Sequence, residues 1–177
     1  MAPKTTPGVW RPCGDYRALN SITIPDRYPI PHIHDFVSSL HEMKVFSKID
    51  LVKAYNLIPV ATEDVPKTAT ITTFNKFEYL RIPFGLHNVA QTFHRFIDQT
   101  LLQLSGVYAY LDDILIASPH EITHLAQVEE VLRRLEAAQL TINPNKSVFG
   151  VKSLDFLGHR VNENGVRSPG ERSSCCP

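Results

Sequence analysis

The sequence predicts an α+β fold, specifically a split β-α-β-β-α-β sandwich of the ferredoxin-like type. An apolar, β-prone run at 44–50 precedes a segment with helical periodicity that starts near residue 88. Two further β-prone runs surround an acidic turn within 107–117, and a second helical segment follows them. Strand-like runs come last, so without the β-rich segment 68–83 the order of elements is that of the sandwich.

The region before the first strand is rich in proline, which fixes φ and removes a backbone donor. Residues 1–31 are therefore predicted to form extended loops and short strands around Pro3, Pro7, Pro12, Pro25, Pro29 and Pro31. From Pro31 a helical period begins, with apolar residues on one face at Ile33, Phe36, Val37 and Leu40. The segment 68–83 is predicted to be a hairpin that turns at Asn75-Lys76.

Both long helices carry predicted start signals. Asn88 is predicted to cap the first helix, with Gln91 at its third position as in a capping box. Ser118 is predicted to cap the second helix, with Pro119 and Glu121 in its first turn and an end near Gln139. The runs 140–149 and 153–161 are predicted to be the closing strands.

Composition limits the classes of function. Of the 177 residues, 43% are hydrophobic, which suits a globular domain, and no run of about 18 apolar residues predicts a membrane span. The beginning of the sequence lacks a hydrophobic signal region, and Cys13, Cys175 and Cys176 form no disulfide framework. We therefore expect an intracellular protein that is not secreted. The 18 basic and 18 acidic residues balance, which by itself counts against a polynucleotide partner.

The sequence "VYAYLDDILIAS" (107–118) places two adjacent carboxylates, Asp112 and Asp113, between apolar runs. Taken alone, such a pair is most typical of a solvated hairpin turn. In the predicted sandwich, however, the first strand ends at Asp50 beside this hairpin, so three carboxylates converge on one rim. Hard oxygen ligands without His or Cys spacing favour Mg²⁺ or Mn²⁺, and two such ions support phosphoryl transfer.

Five motifs carry a resemblance to a known family. They are "WRPCGDYRALN" (10–20), "FSKIDLVKAY" (46–55), "RIPFGLHNVAQTF" (81–93), "YLDD" (110–113) and "LDFLGHRV" (154–161). In order and spacing they resemble reverse transcriptases, with the strongest similarity to gypsy-class long-terminal-repeat retrotransposons and their retroviral relatives. The resemblance covers residues 4–166 and implies a polymerase palm with partial fingers, of the DNA/RNA polymerase-like fold.

The resemblance also implies domain boundaries and roles for the acidic residues. Residues 1–166 would form a reverse transcriptase domain, with partial fingers at 1–44 and 56–82 and with palm and primer grip at 45–55 and 83–166. Residues 167–177 would be a non-homologous, disordered tail. Asp50, Asp112 and Asp113 match the catalytic carboxylates that bind two Mg²⁺ ions, and the carbonyl of Leu51 is implied as a further metal contact.

The implied nucleotide-binding residues lie on several segments. Lys4 and Arg11 match residues that hold the incoming triphosphate, and Phe84 and Gly85 match a loop beside the nascent base pair. Tyr55 matches the bulky residue that excludes a ribose 2′-hydroxyl; its alternative role is that of an aromatic ring packed behind the strand. Lys146 matches a lysine near the pyrophosphate, where a general acid would act, although surface lysines are common.

The last motif, Phe156-Leu157-Gly158-His159, resembles the primer grip that positions the primer end. The implied reaction is DNA synthesis from deoxynucleoside triphosphates on a primed RNA or DNA template. The implied location is the cytoplasm, in a virus-like particle, or the nucleus, without a membrane partner.

Departures from the family pattern modify this expectation. The upstream fingers strands and the thumb, connection and RNase H regions do not occur in the 177 residues, and Thr5 and Asn56 replace more usual residues. We expect a truncated copy of a polyprotein with weak or no activity alone, and loss of these cationic regions would account for the neutral charge.

Two other functions are possible for the same fold. One is a non-catalytic nucleic-acid-binding or interaction module. The other is a cyclase-like two-metal enzyme, against which "WRPCGDYR" and Tyr55 count, because a cyclase needs no template platform.

Overall fold

The computed structural model describes residues 2–3, 10–11, 14–32, 35–36, 38–52 and 54–167. Of the predicted disordered tail at 167–177, Arg167 is the last residue of a strand, and 168–177 lie outside the described residues. The strands and helices, in chain order, are β1 (Ala2–Pro3), β2 (Trp10–Arg11), α1 (Arg17–Ile22), β3 (Val45–Asp50), β4 (Thr70–Ile71), β5 (Lys76–Phe77), α2 (Val89–Thr100), β6 (Val107–Tyr110), β7 (Asp113–Ser118), α3 (Glu121–Ala137), β8 (Val148–Val151), β9 (Ser153–Phe156), β10 (His159–Asn162) and β11 (Gly165–Arg167). Single 3-10 turns lie at Ser38–Leu40, Ala54–Leu57 and Val65–Thr68. Within these ranges, no helix has both the length and the apolar character that crossing a bilayer requires.

The chain divides into two units. The first consists of Met1–Pro29 and Lys53–Phe96, and the second of Ile30–Val52 and Ile97–Pro177. Helix α2 contributes its residues through Phe96 to the first unit and its last turn to the second.

The second unit is built on a four-stranded antiparallel sheet with the order β6-β7-β3-β8. Strand β3 pairs with β7 along its whole length, from Val45 opposite Ser118 to Asp50 opposite Asp113. The first strand is therefore the direct neighbour of the acidic hairpin, as the split β-α-β-β-α-β prediction requires. On its other side β3 pairs with β8, with a shift of register between Phe46 and Lys48.

One core cluster of the second unit combines residues of this sheet with residues of a smaller one that has the order β11-β10-β9. Its buried members are Phe36, Leu40, Phe46, Leu115, Ala117, Leu154, Phe156 and Val161. Strands β9 and β10 are joined by a two-residue turn in which Leu157 has φ 50° and Gly158 has φ 76°. Positive φ at both central residues is characteristic of the type I′ turn, whose twist matches that of paired strands.

The first unit holds its β4–β5 hairpin through Tyr16. The Tyr16 hydroxyl donates to the carbonyl of Thr68 at 3.1 Å, and the Tyr16 side chain is buried. The Thr68 hydroxyl in turn accepts from the backbone N–H of Tyr79 at 2.8 Å. The predicted hairpin is confirmed, but its paired part is short, and its turn lies at 72–75 and not at the predicted Asn75-Lys76. The hydroxyl and the backbone N–H of Thr72 both donate to the Asn75 carbonyl and close the turn there.

One segment that is predicted to be extended forms a helix. Residues 17–22 form α1, although the prolines on either side predict extended structure for 1–31. The segment itself contains neither proline nor glycine, and the Thr23 hydroxyl satisfies the Leu19 carbonyl near its end at 2.7 Å. Of the predicted helix after Pro31, only Asp35 and Phe36 are α-helical among the described residues, and Ile33 and Val37 lie outside them.

Both predicted capping residues have other partners. Helix α3 begins at Glu121 after His120, because Ser118 remains in β7 and its hydroxyl contacts Nδ1 of buried His124 at 2.8 Å. Helix α2 begins after Asn88 as predicted, but the Asn88 side chain bonds the segment 24–26. The predicted strand 140–149 is a strand only from Val148, because the preceding residues form a turn.

Candidate active site

Two acidic residues meet at one end of the sheet in the second unit. Asp50 ends β3, Asp113 begins β7, and the two are direct cross-strand partners. The backbone N–H of Leu51 donates to the carbonyl of Asp112 at 2.9 Å, which extends the pairing by one residue. Asp112 therefore lies in the hairpin turn beside this pair, and Leu111 before it has φ 52°. A non-glycine residue in the left-handed region is uncommon, and such residues cluster at functional sites.

Two lysines face the acidic pair. Nζ of Lys48 lies 3.0 Å from Oδ1 of Asp113, with both side chains 22% exposed. Nζ of Lys146 lies 3.7 Å from Oδ2 of Asp50; the lysine is 68% exposed and the aspartate 16%. The half-buried Lys48 pair is the stronger of the two, because solvent screens an exposed pair.

Asp112 has the electrostatic properties of a member of this group. Desolvation of its carboxyl group raises the pKa of Asp112, and the negative charges of Asp113 and Asp50 raise it further. The ammonium group of Lys146 acts in the opposite direction. The three carboxylates thus interact through space, as the sequence predicts for one rim.

The turn that carries Lys146 is fastened to the backbone of Asp50. The N–H of Asn143 donates to the Asp50 carbonyl at 2.7 Å, and the N–H of Asp50 donates to the Ser147 hydroxyl at 3.1 Å. The Ser147 hydroxyl donates to the carbonyl of Asn143 at 2.8 Å, which closes the turn. The sequence does not single out Asn143 and Ser147; Asn-Pro-Asn is a turn signal, but its docking partner is distant in sequence.

The acidic group, which consists of Asp50, Asp112 and Asp113, suits a hard cation by its chemistry, although the carboxylates of Asp50 and Asp113 pair with lysines. In the part of the chain that the structure describes, no three His, Cys, Asp or Glu side chains are grouped so that they could hold a metal ion. The donors themselves are three carboxylates at one sheet end, and hard oxygen donors are the ligands that Mg²⁺ and Mn²⁺ prefer. Metal binding would therefore require the carboxylates of Asp50 and Asp113 to leave Lys146 and Lys48.

In the first unit, Tyr55 lies in an aromatic cluster. Its ring meets Phe84 edge-on with centroids 5.7 Å apart, and meets buried Phe93 with centroids 5.2 Å apart. Gly85, next to Phe84, has φ 100°. An added Cβ there would make only ordinary contacts at 3.5 Å or more, so the backbone conformation rather than lack of space favours glycine.

Asn20 anchors the end of the loop that contains Phe84 and Gly85 through two hydrogen bonds. Its Nδ2 donates to the Gly85 carbonyl at 2.8 Å, and its Oδ1 accepts from the His87 N–H at 2.9 Å. Asn20 lies within the "WRPCGDYRALN" motif, yet the motif alone predicts no role for it. Of the two residues predicted to hold triphosphate, Lys4 lies outside the described residues, and Arg11 lies in β2 opposite Ala2.

The predicted primer grip coincides with the turn between β9 and β10. Phe156 is buried in the core, and His159 is its cross-strand partner. Nδ1 of His159 lies 3.0 Å from the Leu157 carbonyl, which can only accept, so this nitrogen carries the proton. The turn is thereby braced by one of its own side chains.

A sheet of this order, with acidic residues on its central strand and on the adjoining hairpin, defines a polymerase-type palm. The chain belongs to the reverse transcriptase (RNA-dependent DNA polymerase) family, whose sequence model matches residues 2–161. The predicted family and the predicted α+β palm fold are confirmed.

Relatives by sequence are transposon polyproteins. The chain is 40% identical over 156 residues to the retrovirus-related Pol polyprotein from transposon opus of Drosophila melanogaster, which covers 87% of the chain and 16% of that polyprotein. It is 36% identical over 160 residues to the retrovirus-related Pol polyprotein from transposon gypsy of the same species, and the match covers 89% of this chain and 16% of that polyprotein. The Tf2-3 polyprotein of Schizosaccharomyces pombe is also 36% identical over 160 residues, covering 89% and 12%. The chain thus spans less than a fifth of the length of these relatives.

Solved structures of similar fold are foamy viral enzymes. The foamy viral protease-reverse transcriptase dRH in complex with ds DNA has a TM-score of 0.88 and 25% identity, covering 96% of this chain and 30% of that one. The foamy viral protease-reverse transcriptase in complex with RNA/DNA hybrid has a TM-score of 0.81 and 24% identity, and the match covers 88% of this chain and 21% of that one. This second similarity shows the shared fold alone.

Proposed function

We propose that this chain carries the catalytic centre of template-directed DNA synthesis, with Asp50, Asp112 and Asp113 as the catalytic and metal-binding residues. The observation that carries the proposal is the pairing of Asp50 with Asp113 at one sheet end, with Asp112 in the adjoining turn. Membership of the reverse transcriptase family supports it. So does the DNA-bound foamy viral relative of similar fold.

The proposed cofactors are two Mg²⁺ ions, for which Mn²⁺ can substitute. The three carboxylates and the Leu51 carbonyl would hold them. When bound, such ions activate an attacking hydroxyl and stabilise a departing pyrophosphate. Lys146, fastened beside Asp50 by the turn at Ser147, is proposed to supply a proton to the pyrophosphate.

The proposed substrates are deoxynucleoside triphosphates and a primed RNA or DNA template. Lys4 and Arg11 are assigned to the triphosphate, Phe84 and Gly85 to the nascent base pair, and Tyr55 to exclusion of the ribose 2′-hydroxyl. The rigid turn of Phe156, Leu157, Gly158 and His159 is assigned to the primer end. These assignments follow the motifs and take support from the clustered rings around Tyr55 and from the braced turn at His159.

The domain boundaries are also proposals. Residues 1–44 and 56–82 would be partial fingers, and 45–55 and 83–166 palm and primer grip. Because the relatives are much longer, we propose that thumb, connection and RNase H regions of a parent polyprotein complete the grip on nucleic acid. Without them, affinity and activity would be weak, since neutralisation of phosphates dominates nucleic-acid binding. The proposed location is inside the cell, in the cytoplasm or nucleus.

Primer extension tests this function. The purified chain is incubated with poly(rA)–oligo(dT), dTTP and either Mg²⁺ or Mn²⁺, beside the variants Asp112→Asn and Glu129→Gln. We expect template-dependent extension that falls at least about 100-fold in Asp112→Asn. The exposed control Glu129→Gln should extend like the wild type. Extension that survives Asp112→Asn would overturn the assigned site.

One observation favours a second candidate, a non-catalytic nucleic-acid-binding module. Asp50 and Asp113 already have lysine partners within the fold, so the unit requires no cation to balance them. This candidate predicts binding of a labelled primer–template that is unchanged in Asp50→Asn and Asp112→Asn, together with no extension by the wild type.

A further inference from the structure

Lys48 has no role in the function proposed above, yet it lies at the centre of the acidic group. It precedes Asp50 by two residues on β3, so both side chains project from the same face of the sheet. Asp113 is the cross-strand partner of Asp50, and Lys48 reaches it diagonally, with Nζ 3.0 Å from Oδ1. Diagonal cross-strand neighbours are within reach of long side chains.

The ammonium group of Lys48 has a second contact. Its Nζ lies 5.9 Å from the ring centroid of Phe156, which is fully buried in the core. A cation at this distance from an aromatic face is attracted by the ring. The head group is thus held between a carboxylate on β7 and an aromatic ring on β9.

Lys48 differs in this respect from Lys146, the other lysine of the group. Lys146 is 68% exposed and lies 3.7 Å from its partner, whereas Lys48 and Asp113 are each only 22% exposed. A half-buried pair that loses one partner leaves a poorly solvated charge behind, while an exposed pair is screened by water. The charge balance of Asp113 therefore depends mainly on Lys48.

We propose that Lys48 is the built-in counter-ion of Asp113, a positioning residue that a divalent cation must displace from the carboxylate in order to bind. The proposal rests on the metal-binding role proposed for Asp113. After the cation displaces it, the ammonium group of Lys48 keeps its contact with the ring of Phe156. Lys48 thereby keeps the carboxylates from repelling one another before the cation arrives, and it lowers the affinity for the cation.

Removal of this charge has two opposite consequences. In Lys48→Met, the competing ammonium is gone, so Mn²⁺ should bind about tenfold more tightly. Without metal, the same variant leaves Asp113 uncompensated, so its thermal midpoint should fall. Lys48→Arg keeps the charge and should restore both properties towards those of the wild type.

The experiment measures Mn²⁺ binding and thermal unfolding of the full chain. Binding is followed by isothermal titration calorimetry with MnCl₂, and unfolding by circular dichroism in EDTA and in saturating Mn²⁺. The expected result is tighter Mn²⁺ binding by Lys48→Met and a loss of thermal midpoint that is larger in EDTA than in Mn²⁺. Lys44→Met, an exposed lysine next to the same strand, serves as the matched control and should match the wild type.

The outcomes separate this proposal from the one on which it rests. If Asp113→Asn binds Mn²⁺ as the wild type does, or if neither the wild type nor any variant binds Mn²⁺, the metal-binding role itself is wrong and the counter-ion role fails with it. If Asp113→Asn loses Mn²⁺ binding while Lys48→Met binds Mn²⁺ with the affinity of the wild type, only the counter-ion role is overturned. An equal loss of thermal midpoint in EDTA and in Mn²⁺ would likewise show that Lys48 contributes only packing.

Discussion

The ring of Tyr55 meets the ring of Phe93 edge-on, with centroids 5.2 Å apart and an angle of 68° between the planes. Phe93 is fully buried, so it gives the partly buried ring of Tyr55 a fixed support. Aromatic pairs in this geometry contribute about 0.5–1.5 kcal/mol beyond the area that they bury. The orientation of Tyr55 is therefore determined by the core of its unit.

This support predicts an effect on sugar selection. Tyr55→Val removes the proposed barrier, and we expect the ratio of ribonucleotide to deoxyribonucleotide kcat/KM to rise at least about tenfold. Phe93→Leu leaves the tyrosine but loosens its support, so a smaller rise is expected. Tyr55→Phe keeps the ring and is the control. Unchanged selectivity in Tyr55→Val would contradict the proposed role.

The buried network around His124 predicts a pH dependence of stability. Nδ1 of His124 donates to the Ser118 hydroxyl, which donates to Oε1 of Gln127, and Nε2 accepts from the Ser47 hydroxyl at 2.6 Å. Burial lowers the pKa of His124 below its ordinary value of 6.5. The folded state therefore holds the neutral ring, while the unfolded state takes up a proton as the pH falls below that value.

The contribution of His124 to stability is thus complete above pH 6.5 and is lost progressively as the pH falls towards the folded pKa. Urea unfolding at pH 7.5 and 5.5 measures this change. We expect His124→Gln to be less stable at pH 7.5 and to lose less stability between the two values than the wild type. His41→Gln, an exposed histidine, should behave as the wild type. An identical pH response in His124→Gln would disprove the assignment.

The hydroxyl of Ser147 links the turn at 143–147 to the backbone of Asp50, so we expect its removal to lower the stability of the protein. Ser147→Ala removes the acceptor for the Asp50 N–H and the donor to the Asn143 carbonyl. We expect the free energy of unfolding to fall by about 1–3 kcal/mol, because a partly buried N–H is left unpaired. Urea titration measures this loss, and the exposed Ser105→Ala is the control. A loss no larger than that of Ser105→Ala would contradict the role.

Asn20 predicts a local effect on the loop that contains Phe84 and Gly85. Asn20→Ala removes the hydrogen bonds to the Gly85 carbonyl and from the His87 N–H, and we expect a loss of about 1–2 kcal/mol in the free energy of unfolding. Faster hydrogen exchange at the His87 amide would locate the change, whereas the exposed Asn164→Ala should leave that amide unaffected. Unchanged exchange at His87 in Asn20→Ala would argue against this anchoring.

The sequence is sufficient to predict the elements whose pattern is local. The apolar, β-prone runs in "VFSKID" and "DILIAS" predict β3 and β7, and the order of elements in the split β-α-β-β-α-β sandwich places them side by side. The convergence of Asp50 and Asp113 is therefore predictable from the sequence alone. By contrast, the run 153–161 is predicted as one closing strand but forms β9 and β10, because Leu157 and Gly158 adopt positive φ and reverse the chain.

Sequence reasoning is wrong where a side chain has a distant partner. Ser118 satisfies the local rule for an N-cap, but it does not cap the helix. Its backbone pairs with Val45 in the sheet, and its hydroxyl bonds the buried ring of His124. Asn88 bonds a segment more than sixty residues earlier in the chain, as the backbone N–H of Asp26 shows. The lysine partners of Asp50 and Asp113 also could not be predicted. The pair of Lys48 with Asp113 depends on the register of two strands, and the pair of Lys146 with Asp50 depends on the docking of a turn against β3.

The central position of β3 has a consequence for the order of folding during synthesis. Strand β3 is synthesised long before its partner strands at 113–118 and 148–151. It therefore stays unpaired while the intervening chain is translated. Contacts of such long sequence separation form slowly, and an unpaired apolar strand is prone to aggregation. Asp50 therefore has no native neighbour in the sheet until β7 has been made. A nascent chain that stops before β8 should be captured by chaperones.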